Sequence, residues 1–427
     1  MNQYQQLYEE NRDVLGERGD ELKAFLESAA EIDKVFAPET YAVNLRRLKL
    51  PVDAAKSFKC AVPAVSTTPA LVVNDIFQPS KRLPEGVTFM SLRAAAELHP
   101  EWIPASVRGD IKSAESRLND LLWTDGALIR IGQNVRPERP LQLVNILSAP
   151  MDLMVCRRVI IVVESGADAK LLLCDHTQDS EHNYLINELI EVSVAEGGRL
   201  SLDRVEESSP LTVRRSEMHV QVGANARFCS TSSLLTCGDS SSKINVSLDA
   251  SGAEASVNGM VIASGTQTPA FHTRIRHKAD HTLSNQVFKF VADGQSNCTF
   301  DGLIIVDESA RFTEAYQTNH NLLASNDAKM HTEPTLEIYC DEVKCSHGAT
   351  TGQLDDTALF YMRSRGIPEA EARRMLMEAF LSDVIANVGI DSLRERLRHL
   401  VERRFSALAE GSDSCADCSA INALKQE

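Results

Sequence analysis

A short unit recurs along the middle of this 427-residue chain and constrains its fold more than any other feature. A β-branched run leads to a turn in which glycine precedes alanine, as at Gly166, Gly223 and Gly252, and a second run follows. With Gly197 counted as a degenerate copy, these glycines lie 31, 26 and 29 residues apart. Strand–turn–strand units at such a period, with almost no helix between them, predict a β-solenoid.

An antiparallel β-sandwich is the alternative, because its strands also alternate and also turn at Gly and Asn. In a solenoid, the inward Val, Ile and Leu side chains of each turn stack on those of the next. The two ends of such a stack must be covered. We expect helical segments before and after the solenoid to cover them.

The chain divides into four predicted segments. Residues 1–140 form an N-terminal helical and mixed region, residues 141–351 the β-solenoid, residues 352–408 a C-terminal helical domain and residues 409–427 a flexible tail. Within the third segment Pro368 opens a helix, because proline suits the first helical turn.

Composition excludes some classes of function. The chain carries 44 basic and 60 acidic side chains, a net charge of −16, and such a surface repels the phosphates of nucleic acids. No apolar run approaches the roughly 20 residues of a membrane span, and the first residues are polar and then acidic, unlike a signal peptide. We therefore expect a cytoplasmic protein without nucleic-acid or membrane partners. Ten scattered cysteines are typical of reduced thiols in that compartment.

Cys345 and His347 are the strongest candidates for chemistry. If the strand through this stretch is continuous, their side chains leave the same face, because side chains alternate along a strand. A thiolate and an imidazole on one face are half of a soft-metal or iron–sulfur site. A buried cysteine beside a hydrogen-bonded histidine is the structural alternative.

The sequence around this pair resembles that of a known family. The run Cys345-Ser346-His347-Gly348-Ala349-Thr350-Thr351-Gly352-Gln353-Leu354-Asp355, followed by Leu359-Phe360-Tyr361, resembles the C-terminal signature of the SufB/SufD family of iron–sulfur cluster assembly proteins. The resemblance extends upstream through Phe300-Asp301-Gly302, Gln317-Thr318-Asn319 and Leu336-Glu337-Ile338. Within the family, the Cys-Ser-His-Gly-Ala-Thr run is similar to the corresponding run of SufD.

The resemblance implies a mainly β fold, a right-handed parallel β-helix core flanked by N-terminal and C-terminal helical segments. It implies a non-catalytic scaffold subunit in a complex with a SufB-like subunit and a SufC-like ATPase, the latter docking on helices at about 355–386. It also implies that Cys345 and His347 lie near the SufB interface, where iron enters and a nascent cluster forms. His347 would be a metal ligand, with Cys345 supporting it or simply packed. A flavin in the complex and a homodimer are further expectations that the sequence leaves open.

Other cysteines carry weaker signals. Cys340 stands five positions before Cys345, so in a regular strand it would face the opposite side, as a small buried apolar residue. Cys415 and Cys418 have a metal-chelating or redox spacing, but no second pair completes a zinc site.

Two other classes of function compete with the scaffold. One is a parallel β-helix enzyme acting on polysaccharide, which would need an exposed acidic groove and a base. The other is a purely structural interaction protein whose Cys345 and His347 never contact metal.

Overall fold

The computed structural model describes residues 3–10, 12–15, 65–79, 83–104, 107, 113–178 and 181–409. Residues 16–64 of the predicted N-terminal helical and mixed region lie outside these ranges. So do the tail from residue 410 onwards and its cysteines Cys415 and Cys418.

Two long sheets form the body of the molecule, and the chain alternates between them. Sheet A contains β1 (Thr68–Val73), β2 (Ile76–Gln78), β5 (Leu141–Leu147), β7 (Asp168–Thr177), β9 (Arg199–Glu207), β11 (Arg227–Thr236), β13 (Glu254–Ala263), β15 (Leu283–Ala292), β17 (Thr313–Leu323) and β19 (Val343–Gln353). Sheet B contains β3 (Val87–Ser91), β4 (Asp125–Ile131), β6 (Leu153–Val163), β8 (Tyr184–Val194), β10 (Thr212–Val222), β12 (Asp239–Leu248), β14 (Thr268–His277), β16 (Asn297–Val306) and β18 (Lys329–Ile338).

The described helices precede and follow these sheets in the chain or lie between their first strands. They are α1 (Gln3–Glu10), α2 (Arg12–Leu15), α3 (Leu92–Leu98), α4 (Ala114–Leu122), α5 (Asp356–Ser364), α6 (Glu369–Ala386) and α7 (Asp391–Ala409), with a 3₁₀ turn at Pro100–Trp102.

Parallel pairing decides between the two predicted all-β folds. From β4 to β18, each strand of sheet B pairs in parallel with the next, and Val159, Ile190, Met218 and Ile244 stand in register. All four side chains are buried and belong to one continuous core between the sheets. The predicted β-solenoid is therefore confirmed, with about 8 turns. A sandwich would have paired neighbouring strands antiparallel.

One corner of the solenoid repeats a left-handed residue in successive turns. These residues are Gly166, Gly197, Asn225, Gly252, His281 and Phe312, with φ between 52° and 72° and spacings of 31, 28, 27, 29 and 31 residues. The third copy of the repeat therefore turns at Asn225 and not at Gly223. The later copies, which drift in sequence, continue the same corner with His281 and Phe312. Left-handed backbone favours Gly and Asn, and Phe312 occupies it with its ring stacked on His281 at 4.8 Å.

The sheets begin earlier in the chain than residue 141, where the sequence placed the start of the solenoid. Strand β1 pairs in parallel with β5, and β4 pairs in parallel with β6. The first edges are closed by antiparallel partners, β2 and β3. The sequence signal is weak there because prolines interrupt short apolar runs.

The helices cover the sides of the solenoid. Helix α4 packs with Tyr4 and Tyr8 of α1 on the outer face of sheet B. Helices α6 and α7 bury Leu381, Leu397 and Phe405 against the outer face of sheet A. The flanking helical segments that the sequence predicted are present. The C-terminal ones turn back along sheet A, so within the described ranges they do not cover the last turn as expected.

A network of charged side chains lies inside the first turns. It comprises three arginines and three carboxylates whose formal charges cancel: Arg157, Asp175, Glu188, Arg204, Glu206 and Arg214. Glu188 is central to the network, with Oε2 2.5 Å from Arg214 Nη2 and 3.1 Å from Arg204 Nη2, and Oε1 2.8 Å from Arg157 Nε. Burial alone would raise the pKa of Glu188, but the three arginines outweigh it and hold that pKa far below its usual range.

Beyond this network, four phenylalanines fill the interior. Phe271, Phe288, Phe290 and Phe300 are each at most 2% exposed, and their ring centroids lie 4.8 to 6.4 Å apart. Such tilted and edge-on contacts are favourable aromatic geometries. This phenylalanine layer separates the charged interior from the last turn.

Candidate metal-binding edge

Cys345 and His347 lie on β19, the terminal strand of sheet A. Its one strand neighbour in the sheet is β17, where Ala315 stands opposite Cys345 and Gln317 opposite His347. Strand β18 is likewise the terminal strand of sheet B. The molecule therefore presents two strand edges side by side at its C-terminal end, in the part of the chain that the structure describes.

The alternation of the strand places both candidate side chains on one face, as the sequence predicted, and the structure shows that this face is the inward one. Inward Cys345 is half-buried and packs with Val343 against a small apolar cluster that includes Ile304 and Ala315. His347, also at an inward position, is exposed because none of the described residues forms a further turn on this strand.

The environment of Cys345 favours a protonated thiol. Burial raises the pKa of this thiol, and neighbouring Cys340 raises it further, while a hydrogen bond with the backbone of Ala315 opposes them. The thiol must therefore lose a proton before it can bind metal as a thiolate.

Cys340 does not face away from Cys345. Strand β18 ends at Ile338 and β19 begins at Val343, so Cys340 lies in the turn between two strands and not within one. It packs against the same small cluster as Cys345. The prediction failed because it assumed a continuous strand through this stretch.

A polar layer lies directly inside His347, and sequence reasoning did not single it out as part of the site. Gln317, Asn319 and Asn321 are buried at successive inward positions of β17. Asn319 Oδ1 accepts hydrogen bonds from Asn321 Nδ2 at 2.6 Å and from Thr332 Oγ1 at 2.8 Å. The available signal was polar residues at every second position of β17, two of which stand in register with Phe288 and Phe290 of β15.

The residues do not form a complete metal site. Within the described ranges, no group of three or more His, Cys, Asp and Glu side chains converges where a metal ion could be held. The structure therefore brings Cys345 and His347 together on one inward face as two candidate donors.

Helices α5 and α6 follow this strand, and α5 exposes aromatic side chains. Asp355 caps the N-terminus of α5, its carboxylate accepting hydrogen bonds from the N–H groups of Thr357 at 2.8 Å and Ala358 at 3.3 Å. Phe360 is 72% and Tyr361 58% exposed. Large exposed aromatic side chains are typical of interaction surfaces.

Comparison with known proteins identifies the family. Residues 146–380 match the family model described as "SUF system FeS cluster assembly, SufBD core domain", and residues 27–143 match the SufBD protein N-terminal region. The chain belongs to the SufBD family. SufBD family members are iron–sulfur cluster assembly proteins, and the predicted resemblance is therefore confirmed.

Several SufBD family relatives are similar over most or half of the chain. An iron–sulfur cluster assembly SufBD family protein of Synechocystis is 27% identical over 84% of this chain and 82% of its own length. SufD of Bacillus subtilis is 25% identical over 75% of this chain and 74% of its own length. SufD of Escherichia coli is 30% identical over 50% of this chain and 51% of its own length. None of the helices in the described ranges is long and apolar enough to cross a membrane.

Proposed function

We propose that this chain is a non-catalytic scaffold subunit of a Suf-type assembly complex, and that its C-terminal edge joins a SufB-like subunit. The observation that carries the proposal is the position of Cys345 and His347 on a terminal strand. They lie at the end of the solenoid where β18 and β19 have no further strand neighbour among the described residues, here called the open end. Unpaired strand edges are templates for a partner strand. A partner docked there would lie beside both donors.

Iron or a nascent cluster is the substrate of the proposed site. A neutral imidazole binds ferrous iron, and a thiolate binds iron or sulfide. Two donors from this chain leave coordination positions for ligands from the partner. Exposed His347 would meet the incoming metal, and half-buried Cys345 would release its proton as metal arrives.

The test is reconstitution of the complex with its SufB-like and SufC-like counterparts. We expect His347→Ala to leave the complex intact and to reduce the iron and sulfide bound after anaerobic reconstitution by at least about 10-fold, because it removes a ligand from the metal. His320→Ala is the matched control. His320 lies on neighbouring β17 at an outward position, with Nδ1 2.6 Å from Thr350 Oγ1.

Normal amounts of iron and sulfide in the His347→Ala complex would indicate a purely structural interaction protein whose His347 does not contact metal. Failure of the wild-type chain to bind either counterpart would contradict the proposed partners. A homodimer through the same edge would appear in this experiment as a complex that lacks the SufB-like subunit.

Helices α5 and α6 are the proposed docking surface for the ATPase. Phe360, Tyr361 and Met375 are exposed on them. We expect Phe360→Ser with Tyr361→Ser to abolish co-purification of the SufC-like subunit without changing thermal unfolding, because neither ring is buried in the free chain. Leu98→Ser is the control, since Leu98 is 67% exposed on distant α3. Retention of the ATPase by the double variant would contradict this docking surface.

The cytoplasmic location and a flavin in the complex stay predictions. A polysaccharide-active enzyme is the weaker candidate, since it is family membership in iron–sulfur assembly that supports the scaffold.

A further inference from the structure

Two glutamines are buried behind His347 with unsatisfied side chains. Gln286 of β15, Gln317 of β17 and His347 of β19 stand in one register column of sheet A, all at inward positions. The glutamines are 0% and 1% exposed. In each, neither the amide nitrogen nor the amide oxygen has a hydrogen-bond partner among the residues that the structure describes.

The fold makes a specific space for the amide of Gln317. Gly302 lies in a regular part of β16 on the opposite sheet, and a Cβ atom there would come within 1.7 Å of Gln317 Nε2. The amide therefore occupies the volume that a side chain at position 302 would fill. A glycine within a strand weakens that strand, and a buried amide without a hydrogen-bond partner costs free energy, so the fold retains two unfavourable features at this point.

His347 is the next side chain beyond this amide along the column. Adjacent strands lie about 4.8 Å apart, so an amide and an imidazole at paired inward positions are close enough to hydrogen-bond after a rotation of side-chain torsions alone. Metal-binding histidines generally donate their second ring N–H to a carbonyl or carboxylate oxygen, which fixes the tautomer and the orientation of the ring.

We propose that Gln317 is a positioning residue for His347. Its amide oxygen accepts a hydrogen bond from the ring nitrogen of His347 that faces the interior, and the other ring nitrogen is left unprotonated toward the open end. That the free nitrogen receives iron rests on the proposed function. The hydrogen bond itself does not, and it can be measured in the full chain without metal.

The first measurement is the tautomer of the neutral His347 ring, from ¹⁵N chemical shifts of histidine-labelled protein at alkaline pH, with His347→Ala used for assignment. We expect one dominant tautomer in the wild type and a mixture in Gln317→Met, which keeps the length of the side chain and removes the amide. Gln317→Glu, which retains an acceptor oxygen, should restore the single tautomer.

Gln286→Met is the matched control. Gln286 is equally buried and equally unpartnered, but it lies one strand further from His347. Its replacement should leave the His347 shifts unchanged. Gln286→Met should unfold at the same or a higher urea concentration than the wild type, because it removes two unsatisfied polar atoms.

Unchanged His347 shifts in Gln317→Met, or an equal change in Gln286→Met, would overturn the proposal. The second measurement is cobalt binding to the complex with the SufB-like subunit, where Gln317→Met should weaken affinity by about 10- to 100-fold. If His347→Ala binds cobalt as well as the wild type does, the proposed function fails. The tautomer result then still decides the role of Gln317.

Discussion

Individual buried residues hold the C-terminal helices against the solenoid, and Asp203 is the clearest case. Its carboxylate, on the outer face of sheet A, accepts hydrogen bonds from the N–H groups of Gly389 and Ile390, both at 3.1 Å, in the link between α6 and α7. Burial raises the pKa of Asp203 to about 6, although both hydrogen bonds oppose the shift. A carboxyl group with a raised pKa binds its proton more tightly in the folded chain than in the unfolded one.

The raised pKa of Asp203 determines how the free energy of unfolding depends on pH. Between about pH 4 and pH 6 the folded state holds more protons on Asp203, so the free energy of unfolding falls as pH rises through this window. A shift from 3.8 to about 6 corresponds to about 3 kcal/mol. We expect Asp203→Asn to remove this component, so that the stability difference between variant and wild type changes with pH. Urea unfolding at pH 4 and pH 7 measures it.

Asp301→Asn is the control for that measurement, because the Asp301 side chain is 52% exposed. An Asp203→Asn variant whose stability tracks the wild type at both pH values would contradict the assignment.

At the scale of the element, the interior strands hold charges that only the solenoid can pair. Arg157 of β6 and Glu188 of β8 are 31 residues apart in sequence and hydrogen-bonded in adjacent turns. We expect Glu188→Gln to cost about 3–5 kcal/mol of unfolding free energy, because it leaves three buried arginines facing two carboxylates. Glu254→Gln should change stability little, since the Glu254 and Arg227 side chains are 44% and 58% exposed. Equal effects of the two variants, measured by urea unfolding, would show that the buried network is not critical.

These elements also show what sequence can and cannot predict. The β-branched runs and Gly166, Gly197 and Gly252 predict the solenoid, because each turn repeats one local geometry. They do not predict that His281 and Phe312 continue the corner, since stacking on neighbouring turns overrides their preference. That Cys345 and His347 lie on the same face of their strand was predictable from their spacing of two residues. The exposure of their edge was not, because it depends on where α6 and α7 pack.

At the scale of the whole molecule, each turn of the solenoid contacts only its neighbours, so local stability depends on position along the axis. The central strands pair on both sides, whereas β18 and β19 pair on one. We expect amide hydrogen exchange to be slowest in β8 to β13 and fastest, among the strands from β4 onward, in β18 and β19. Mass spectrometry of the exchanged chain measures this. Uniform protection along the axis would contradict nearest-neighbour stability.

Binding of a partner strand should then slow exchange in β18 and β19 specifically. The control is the same measurement on β8 and β10, which already have neighbours on both sides. Slowing that is equal in all four strands would indicate global stabilisation and not edge pairing.

The phenylalanine layer has a consequence for how solutes reach the interior. Its four buried rings lie between the last turn and the charged network, so a metal ion or a small oxidant that passed Gln317 would meet apolar side chains before Arg204. Chemistry at the open end and electrostatics in the first turns are thereby insulated from each other. Loss of the His347 side chain would leave the inner charges in place. Loss of one charged side chain of the network would leave the chemistry at the open end unaltered until the chain unfolds.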